Sequence, residues 1–134
     1  IVVLHERLYL YRIREGSIMH NPNLRRNLEI IEAMEDLRQY YERQGLMKPY
    51  GDWLSVLAVE NMCLASQLVL MTDTNASFLP DFIAYLEKAF PGYARNPLLD
   101  RLGKKKKMVL ALLRKRCYGL LRAIFSLRSR MRGE

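Results

Sequence analysis

The hydrophobic positions of this chain follow two different periods, a period of two in one short segment and a period of three to four in the rest. Over residues 8–13 the side chains alternate, which is typical of a β-strand because successive strand residues point to opposite faces. One predicted face holds Leu8, Leu10 and Arg12, and the other holds Tyr9, Tyr11 and Ile13. Glu15-Gly16-Ser17 then predicts a turn. Because so short a strand is unstable alone, we expect it to complete a sheet that lies mostly outside this chain.

From residue 22 onward the apolar positions recur every three or four residues, which predicts a helix. Asn21 is a suitable N-cap, and Pro22 suits the first helical position because its missing N–H would have no partner there. Gly45 predicts the end of the helix, so we expect it to run from Pro22 to about Gln44. Its predicted apolar face consists of Leu24, Leu28, Ile31, Met34, Leu37 and Tyr41.

A second helix is predicted over Trp53–Met71, with Asp52 as its N-cap and residues 47–51 as the preceding loop. It is apolar nearly all round and long enough to raise the question of a membrane span. Glu60 lies near its middle, however, and a charge at the centre of a bilayer costs about 2.5–3.5 kcal/mol on insertion scales. We therefore predict a buried central helix of a bundle, in which a neighbouring helix supplies Glu60 with a basic or hydroxyl partner.

The remaining part of the chain predicts two further helices separated by a short helical turn. The third helix is expected over Leu79–Phe90, and Asn96-Pro97 opens a turn that continues to Leu102. Gly103 predicts a break, after which a single final helix of ~40 Å is expected from Lys104 to about Arg130. Its predicted apolar stripe has a 3-4-3-4 spacing and consists of Leu110, Leu113, Cys117, Leu120, Ile124, Leu127 and Met131.

These elements predict a mainly α fold, a bundle of about four helices preceded by a short β-strand remnant of an α/β catalytic domain. The predicted parts are a strand and turn at residues 1–20, a helical region at 21–103 and a basic amphipathic helix at 104–134. The chain opens with Ile1-Val2-Val3-Leu4 and lacks the charged region and cleavage site of a signal peptide. We interpret it as a piece cut from a longer protein.

The net charge of +8 is distributed unevenly along the chain. Residues 1–100 carry 10 Lys and Arg against 13 Asp and Glu, a net charge of −3, whereas residues 101–134 carry 12 against one, a net charge of +11. A basic helix with a broad apolar face favours an anionic membrane surface. Docking on the preceding helices, self-association into a homodimer and, least favoured, nucleic-acid binding remain alternatives. The candidate membrane-surface residues are Lys104, Lys105, Lys106, Lys107, Arg114 and Arg122.

The two cysteines, Cys63 and Cys117, are far apart in the sequence and each lies among apolar residues. We expect free thiols in a reducing compartment rather than a disulfide. No Cys and His residues have the spacing of zinc ligands. Free thiols favour a cytoplasmic location, and the basic helix predicts that the protein is peripheral at the inner face of the plasma membrane.

One segment resembles a known family. The order Tyr-x-Tyr-Arg-x-Arg-x-Gly-Ser-Ile at residues 9–18 is similar to the segment that closes the catalytic domain of bacterial family 2 glycosyltransferases. These GT-A enzymes transfer sugars from nucleotide sugars during capsule, exopolysaccharide and lipopolysaccharide assembly. The resemblance covers about a tenth of the chain, with a looser likeness in the helices that follow. It implies that Arg12, Arg14 and Ser17 contact the nucleotide diphosphate or the acceptor. Two guanidinium groups and a hydroxyl can form charge-assisted hydrogen bonds with a phosphate.

The resemblance also implies a parent enzyme with an upstream catalytic domain, a divalent metal (Mg or Mn), a nucleotide sugar and a lipid-linked or glycan acceptor. This chain has no Asp-x-Asp motif, and the pair Glu35-Asp36 follows the resembling segment instead of preceding it. We therefore expect no catalytic residue here and no activity from the fragment alone. The function predicted is the C-terminal portion of a glycosyltransferase with a membrane-proximal helical region. The alternative is a non-enzymatic helical interaction module whose basic tail binds a partner or nucleic acid.

Overall fold

The computed structural model describes residues 25–72 and 77–131, and this part of the chain is mainly helical. The predicted strand, the turn after it and the start of the first helix lie outside the described residues. Five α-helices follow one another: α1 (Arg25–Arg43), α2 (Met47–Thr72), α3 (Leu79–Ala89), α4 (Lys104–Arg114) and α5 (Tyr118–Met131). Two 3-10 helices, Tyr93–Arg95 and Pro97–Arg101, connect α3 to α4. The prediction of a helical bundle is confirmed.

The longest helix, α2, forms the centre of the bundle and contacts α1, α3, α4 and α5. Most of its length is buried, as predicted, and its buried apolar residues are Leu54, Val56, Ala58, Val59, Met62, Cys63, Ala65, Val69 and Leu70. Among the described residues, no helix is long and apolar enough to cross a bilayer. The other helices add Met34, Phe82, Leu86, Leu113, Leu121 and Phe125 to the same core. Because four other helices cover most of α2, its largely apolar sequence is accounted for by burial in the bundle.

The connection between α1 and α2 is tighter than the sequence suggests. Gly45 has a φ of 67°, and the N–H of Leu46 donates to the carbonyl of Tyr41 at 2.8 Å, which is the hydrogen-bond pattern of a Schellman motif. Gly45 therefore ends α1 as predicted. The predicted loop at 47–51 is wrong, because α2 already begins at Met47. Pro49 fits there since the first N–H groups of a helix have no intrahelical partner, and Asp52 lies inside the helix and not at its cap.

The single final helix predicted over residues 104–130 is also wrong, because the chain breaks between α4 and α5. Arg116 has a φ of 56°, the left-handed conformation that usually requires glycine. The N–H of Cys117 donates to the carbonyl of Leu112 at 2.9 Å, and the N–H of Arg116 donates to Leu113 at 3.0 Å. These two bonds form a second Schellman motif, with arginine where glycine is preferred.

The break divides the predicted apolar stripe between two environments. Leu113 on α4 is buried, as are Leu121 and Phe125 on α5, and these residues pack into the core. Leu120 and Leu127, which a continuous helix would place on the face of Leu113, are instead 55% and 60% exposed. Docking on the preceding helices, one of the alternatives for this region, therefore accounts for one face of α4 and α5. It leaves the opposite face of α5 open.

We expect Arg116→Gly to stabilise the bundle, because glycine adopts positive φ without the steric cost that arginine has there. Part of the gain is offset by the larger backbone entropy of glycine in the unfolded chain, so about 0.5–1 kcal/mol should remain. Urea denaturation followed by circular dichroism measures it. Ala111→Gly, at an exposed position inside α4, is the matched control and should destabilise by about 1 kcal/mol. A loss of stability in Arg116→Gly would contradict the left-handed turn.

Candidate functional site

The residues that the sequence singles out fall in two parts of the chain. Arg12, Arg14 and Ser17 lie outside the described residues, so their predicted diphosphate or acceptor contacts stay a prediction. The six candidate membrane-surface residues belong to α4 and α5, and the structure describes all of them. Their surroundings divide them into two groups of three.

Three of the six contact other elements of the bundle. Lys106 Nζ lies 2.6 Å from Glu60 Oε1, which joins α4 to the centre of α2. This ion pair confirms that Glu60 has a basic partner from a neighbouring helix, although both side chains are partly exposed. Lys107 Nζ lies 2.7 Å from Asp100 Oδ1, and this bond lowers the pKa of the Asp100 carboxyl group. Exposed ion pairs contribute little to stability, so these contacts mainly orient α4.

Arg122 has a structural role that its sequence position did not reveal. Its Nε donates to the carbonyl of Leu70 at 3.1 Å, near the C-terminal end of α2. Carbonyls at that end of a helix lack intrahelical partners, and a cation there also interacts favourably with the helix dipole. Arg122 thus tethers α5 to the end of α2, and the residue is only partly exposed.

The other three candidates are open to solvent. Lys104 and Lys105 are exposed in the first turn of α4. Arg114 is exposed in its last turn, where its guanidinium carbon lies 6.0 Å from the centre of the buried Tyr93 ring, within the range of a cation–π contact. These three residues are the members of the predicted set that remain available to a partner surface.

The outward side of α4 and α5 combines positive charge with apolar side chains. We define the α4–α5 outer surface by its exposed residues other than Lys106, which pairs with Glu60. These residues are Lys104, Lys105, Met108, Ala111, Arg114, Lys115, Arg116, Gly119, Leu120, Ala123, Ser126 and Leu127. The positive charges lie on α4 and in the turn, whereas the exposed positions of α5 as far as residue 127 are uncharged. Sequence reasoning missed this division because it treated residues 104–130 as one helix with one apolar stripe.

A cleft between α1 and α3 is the second candidate site. It has a volume of about 440 Å³ and is lined by charged residues of both helices. At its edge Arg38 holds Glu35 with two bonds, Nε to Oε2 at 2.9 Å and Nη2 to Oε1 at 2.7 Å, and also contacts Glu42. The hydroxyl of Tyr85 on α3 donates to Glu35 Oε2 at 3.4 Å. The Glu35 carboxylate therefore links the two helices.

The electrostatics of this cleft argue against acid–base chemistry. The hydrogen bonds from Arg38 lower the pKa of Glu35 from 4.5 to about 2, despite an opposing effect of burial. Burial raises the pKa of Tyr85 to about 12, and the neighbouring Glu35 charge adds to this effect. Near neutral pH the carboxylate is a weak base and the phenol a weak acid.

The lowered pKa of Glu35 predicts an acid-dependent loss of stability. The carboxylate stabilises the fold fully above its unfolded-state pKa of 4.5, and this contribution is lost as the pH falls toward about 2. Because the pair is partly solvated, we expect Glu35→Gln to cost about 1 kcal/mol at pH 7. The difference from the wild type should shrink between about pH 5 and pH 2. Urea titrations across this range measure it, with the exposed Glu32→Gln as the control. A constant difference would contradict the Glu35 assignment.

A third feature is an apolar stripe on the outer side of α2. Tyr50, Trp53, Leu57 and Leu64 are exposed at helical spacing, and the guanidinium carbon of Arg101 lies 5.0 Å from the centre of the Trp53 ring. The groove beside Trp53 has a volume of about 350 Å³. The sequence predicted a buried central helix, so this exposed stripe was not anticipated.

The described residues offer little for metal or thiol chemistry. Both cysteines are free, Cys63 being buried and Cys117 partly exposed. Burial raises the pKa of the Cys63 thiol to about 12, which leaves it protonated and unreactive. Within residues 25–72 and 77–131, no three His, Cys, Asp or Glu side chains come close enough to hold a metal ion.

Comparison of the chain with protein-family models, with characterised proteins and with solved structures yields no match.

Proposed function

We propose that this chain is the C-terminal portion of a glycosyltransferase that uses a nucleotide sugar, and that its helical region keeps the enzyme at an anionic membrane surface. The transferase part of the proposal is supported by the segment at residues 9–18, with Arg12, Arg14 and Ser17 as diphosphate or acceptor contacts. The metal and nucleotide sugar would belong to the upstream catalytic domain. The helical region would act peripherally on the cytoplasmic side, where lipid-linked acceptors lie.

One observation on the described residues carries the membrane part. Residues 103–127 contain eight Lys and Arg and no Asp or Glu, and five of these cations lie on the α4–α5 outer surface. Each cation near an anionic bilayer contributes roughly 1 kcal/mol within a Debye length of ~8 Å. A protein surface with this charge is attracted to anionic lipid before any apolar contact is made.

The experiment for the transferase part uses the full-length protein. The sequence that precedes Ile1 should show an α/β pattern with an Asp-x-Asp motif, and the absence of such a domain would overturn the proposal. If the domain is present, Arg14→Ala should lower sugar transfer by about ten- to a hundredfold, since a charge-assisted contact to a phosphate contributes about 1.5–3 kcal/mol. Arg7→Ala, outside the resembling segment, is the control. Unchanged kinetics in Arg14→Ala would show that Arg14 makes no such contact.

The second candidate function is a non-enzymatic interaction module. The apolar stripe of Tyr50, Trp53, Leu57 and Leu64 on α2 favours it, because exposed aromatic and leucine side chains at helical spacing are typical of protein-binding surfaces. The basic surface would then bind an acidic partner or nucleic acid. Tight binding to duplex DNA without a preference for anionic lipid would favour this function over the first.

A further inference from the structure

Over residues 118–127, the part of α5 whose side chains the structure describes, the exposed positions lack the charges that a solvent-facing helix normally carries. At 100° per residue, Leu120, Ala123 and Leu127 lie within about 60° of one another around the helix. The buried residues Leu121 and Phe125 lie on the opposite side. The helix therefore has two apolar faces, of which the bundle covers only one.

The size of the exposed groups makes this face suitable for apolar contact. Leu120 and Leu127 stand one heptad apart and each is more than half exposed. The small residue Ala123 lies between them and Gly119 precedes Leu120, so both leucines stay accessible. Ser126 is the polar residue beside them. On α4 the exposed Met108 adds a further apolar side chain among the lysines.

The positive charge around this face of α5 favours one kind of binding partner over the others. The preceding turn carries Arg114, Lys115 and Arg116, and α4 begins with four lysines, without an acidic residue between 103 and 127. A second copy of the same surface would bring like charges together, which opposes a symmetric dimer. Nucleic acid would satisfy the charges but would leave two exposed leucines in contact with water. An anionic lipid surface suits both features, because its headgroups attract the positive charges and the acyl boundary beneath them accepts the leucine side chains.

We infer that α5 lies in the plane of an anionic membrane surface, with Leu120 and Leu127 inserted at the acyl boundary and the α4–α5 turn held at the headgroups. This inference rests on the membrane contact of the proposed function and is independent of the transferase activity. The break at Arg116 is what makes it possible, because it keeps Leu113 in the core while Leu120 and Leu127 face outward.

The test is binding of the 134-residue chain to vesicles of phosphatidylcholine that contain one third phosphatidylglycerol, measured by co-sedimentation at low salt and at about 1 M salt. High salt shortens the Debye length to ~3 Å and removes most of the electrostatic attraction. We expect the wild type to keep a salt-resistant fraction of binding. Leu120→Gln combined with Leu127→Gln should weaken binding at high salt by about tenfold or more, because each CH₂ group that enters the bilayer contributes about 0.8 kcal/mol.

Two control variants make the result specific. Leu64 is 61% exposed on α2, so Leu64→Gln removes an equally exposed leucine outside this surface and should bind like the wild type. Lys104→Gln combined with Lys105→Gln should weaken binding at low salt by about fivefold per lysine. The high-salt fraction should be unaffected by the lysine variant. Thermal melts of all variants should coincide with the wild type, because every altered side chain is exposed.

The outcomes separate the inference from the proposed function. Equal high-salt binding by the double leucine variant and the wild type would overturn insertion and leave an electrostatic membrane contact. No binding of the wild type to anionic vesicles would overturn both. Sedimentation velocity could show a wild-type dimer that is absent in the double leucine variant. This result would identify a second copy of the chain as the partner of this face and would overturn the proposed lipid contact. If the full-length protein proved to have no transferase activity, these vesicle results would be unaffected.

Discussion

Replacing Asn96 with alanine is expected to destabilise the bundle by about 2–4 kcal/mol. The Asn96 side chain is buried and makes three hydrogen bonds. Its Nδ2 donates to the carbonyl of Asp52 at 2.7 Å and to Ser55 Oγ at 2.8 Å, and its Oδ1 accepts from the N–H of Leu98 at 2.9 Å. Alanine removes a helix N-cap, which costs about 0.5–2 kcal/mol, and two buried bonds at about 1 kcal/mol each.

Two further variants show which of these contacts matters. Asn96→Asp keeps the acceptor for Leu98 but cannot donate to Asp52 or Ser55, so we expect it to be destabilised at neutral pH nearly as much as alanine. If Asn96 acted only as an N-cap, aspartate would match the wild type. Asn61→Ala is the control, because Asn61 Nδ2 bonds to Leu57 within its own helix at 2.9 Å, and its loss should change stability by less than about 0.5 kcal/mol. Urea midpoints at constant slope measure all three.

The elements that the sequence predicted well are those whose boundaries have local causes. Gly45 ends α1 through its own positive φ, Pro80 lies in the first turn of α3, and Asn96 opens the 3-10 helix Pro97–Arg101 with its side chain. In each case the cause is the backbone preference or the side chain of a residue at the boundary itself. Such boundaries can be predicted without knowing what the helix packs against.

The boundaries that were wrong depend on the rest of the fold. Pro49 suggested a loop, yet it occupies a first-turn position that requires no N–H donor. Arg116 gave no sign of a break, because arginine is a good helix former and rarely adopts positive φ. The left-handed turn there allows Leu113 and Leu121 to pack into one core, a gain that only the tertiary structure reveals.

Composition indicated a basic region after residue 100 but did not show which of its cations contact the rest of the bundle. The concentration of positive charge after residue 100 correctly indicated where exposed cations lie, and Lys104, Lys105 and Arg114 are exposed. The same composition did not show that Lys106, Lys107 and Arg122 contact Glu60, Asp100 and the Leu70 carbonyl. These partners lie 7 to 52 residues away in sequence, and helical periodicity carries no information about them.

Replacing Leu113 with alanine is expected to cost about 3–4 kcal/mol, whereas Leu120→Ala should change stability by less than about 0.5 kcal/mol. Leu113 is 1% exposed and lies in the core, so alanine would leave a cavity that the surrounding helices fill only in part. Leu120 is seven residues further along and more than half exposed, so its truncation creates no cavity.

The comparison of these two leucines decides between the broken helix and a continuous one. On a continuous helix docked through one stripe, Leu113 and Leu120 would share a face and their alanine variants would be destabilised alike. On the same helix lying free of the bundle, neither variant would be destabilised in the absence of lipid. Only the break at Arg116 makes Leu113→Ala costly and Leu120→Ala neutral.

Leu113→Met, which conserves volume, should cost less than about 1.5 kcal/mol and shows that the loss reflects packing. Urea denaturation of the three variants without lipid provides the measurement, and equal midpoints for Leu113→Ala and Leu120→Ala would contradict the division of the stripe.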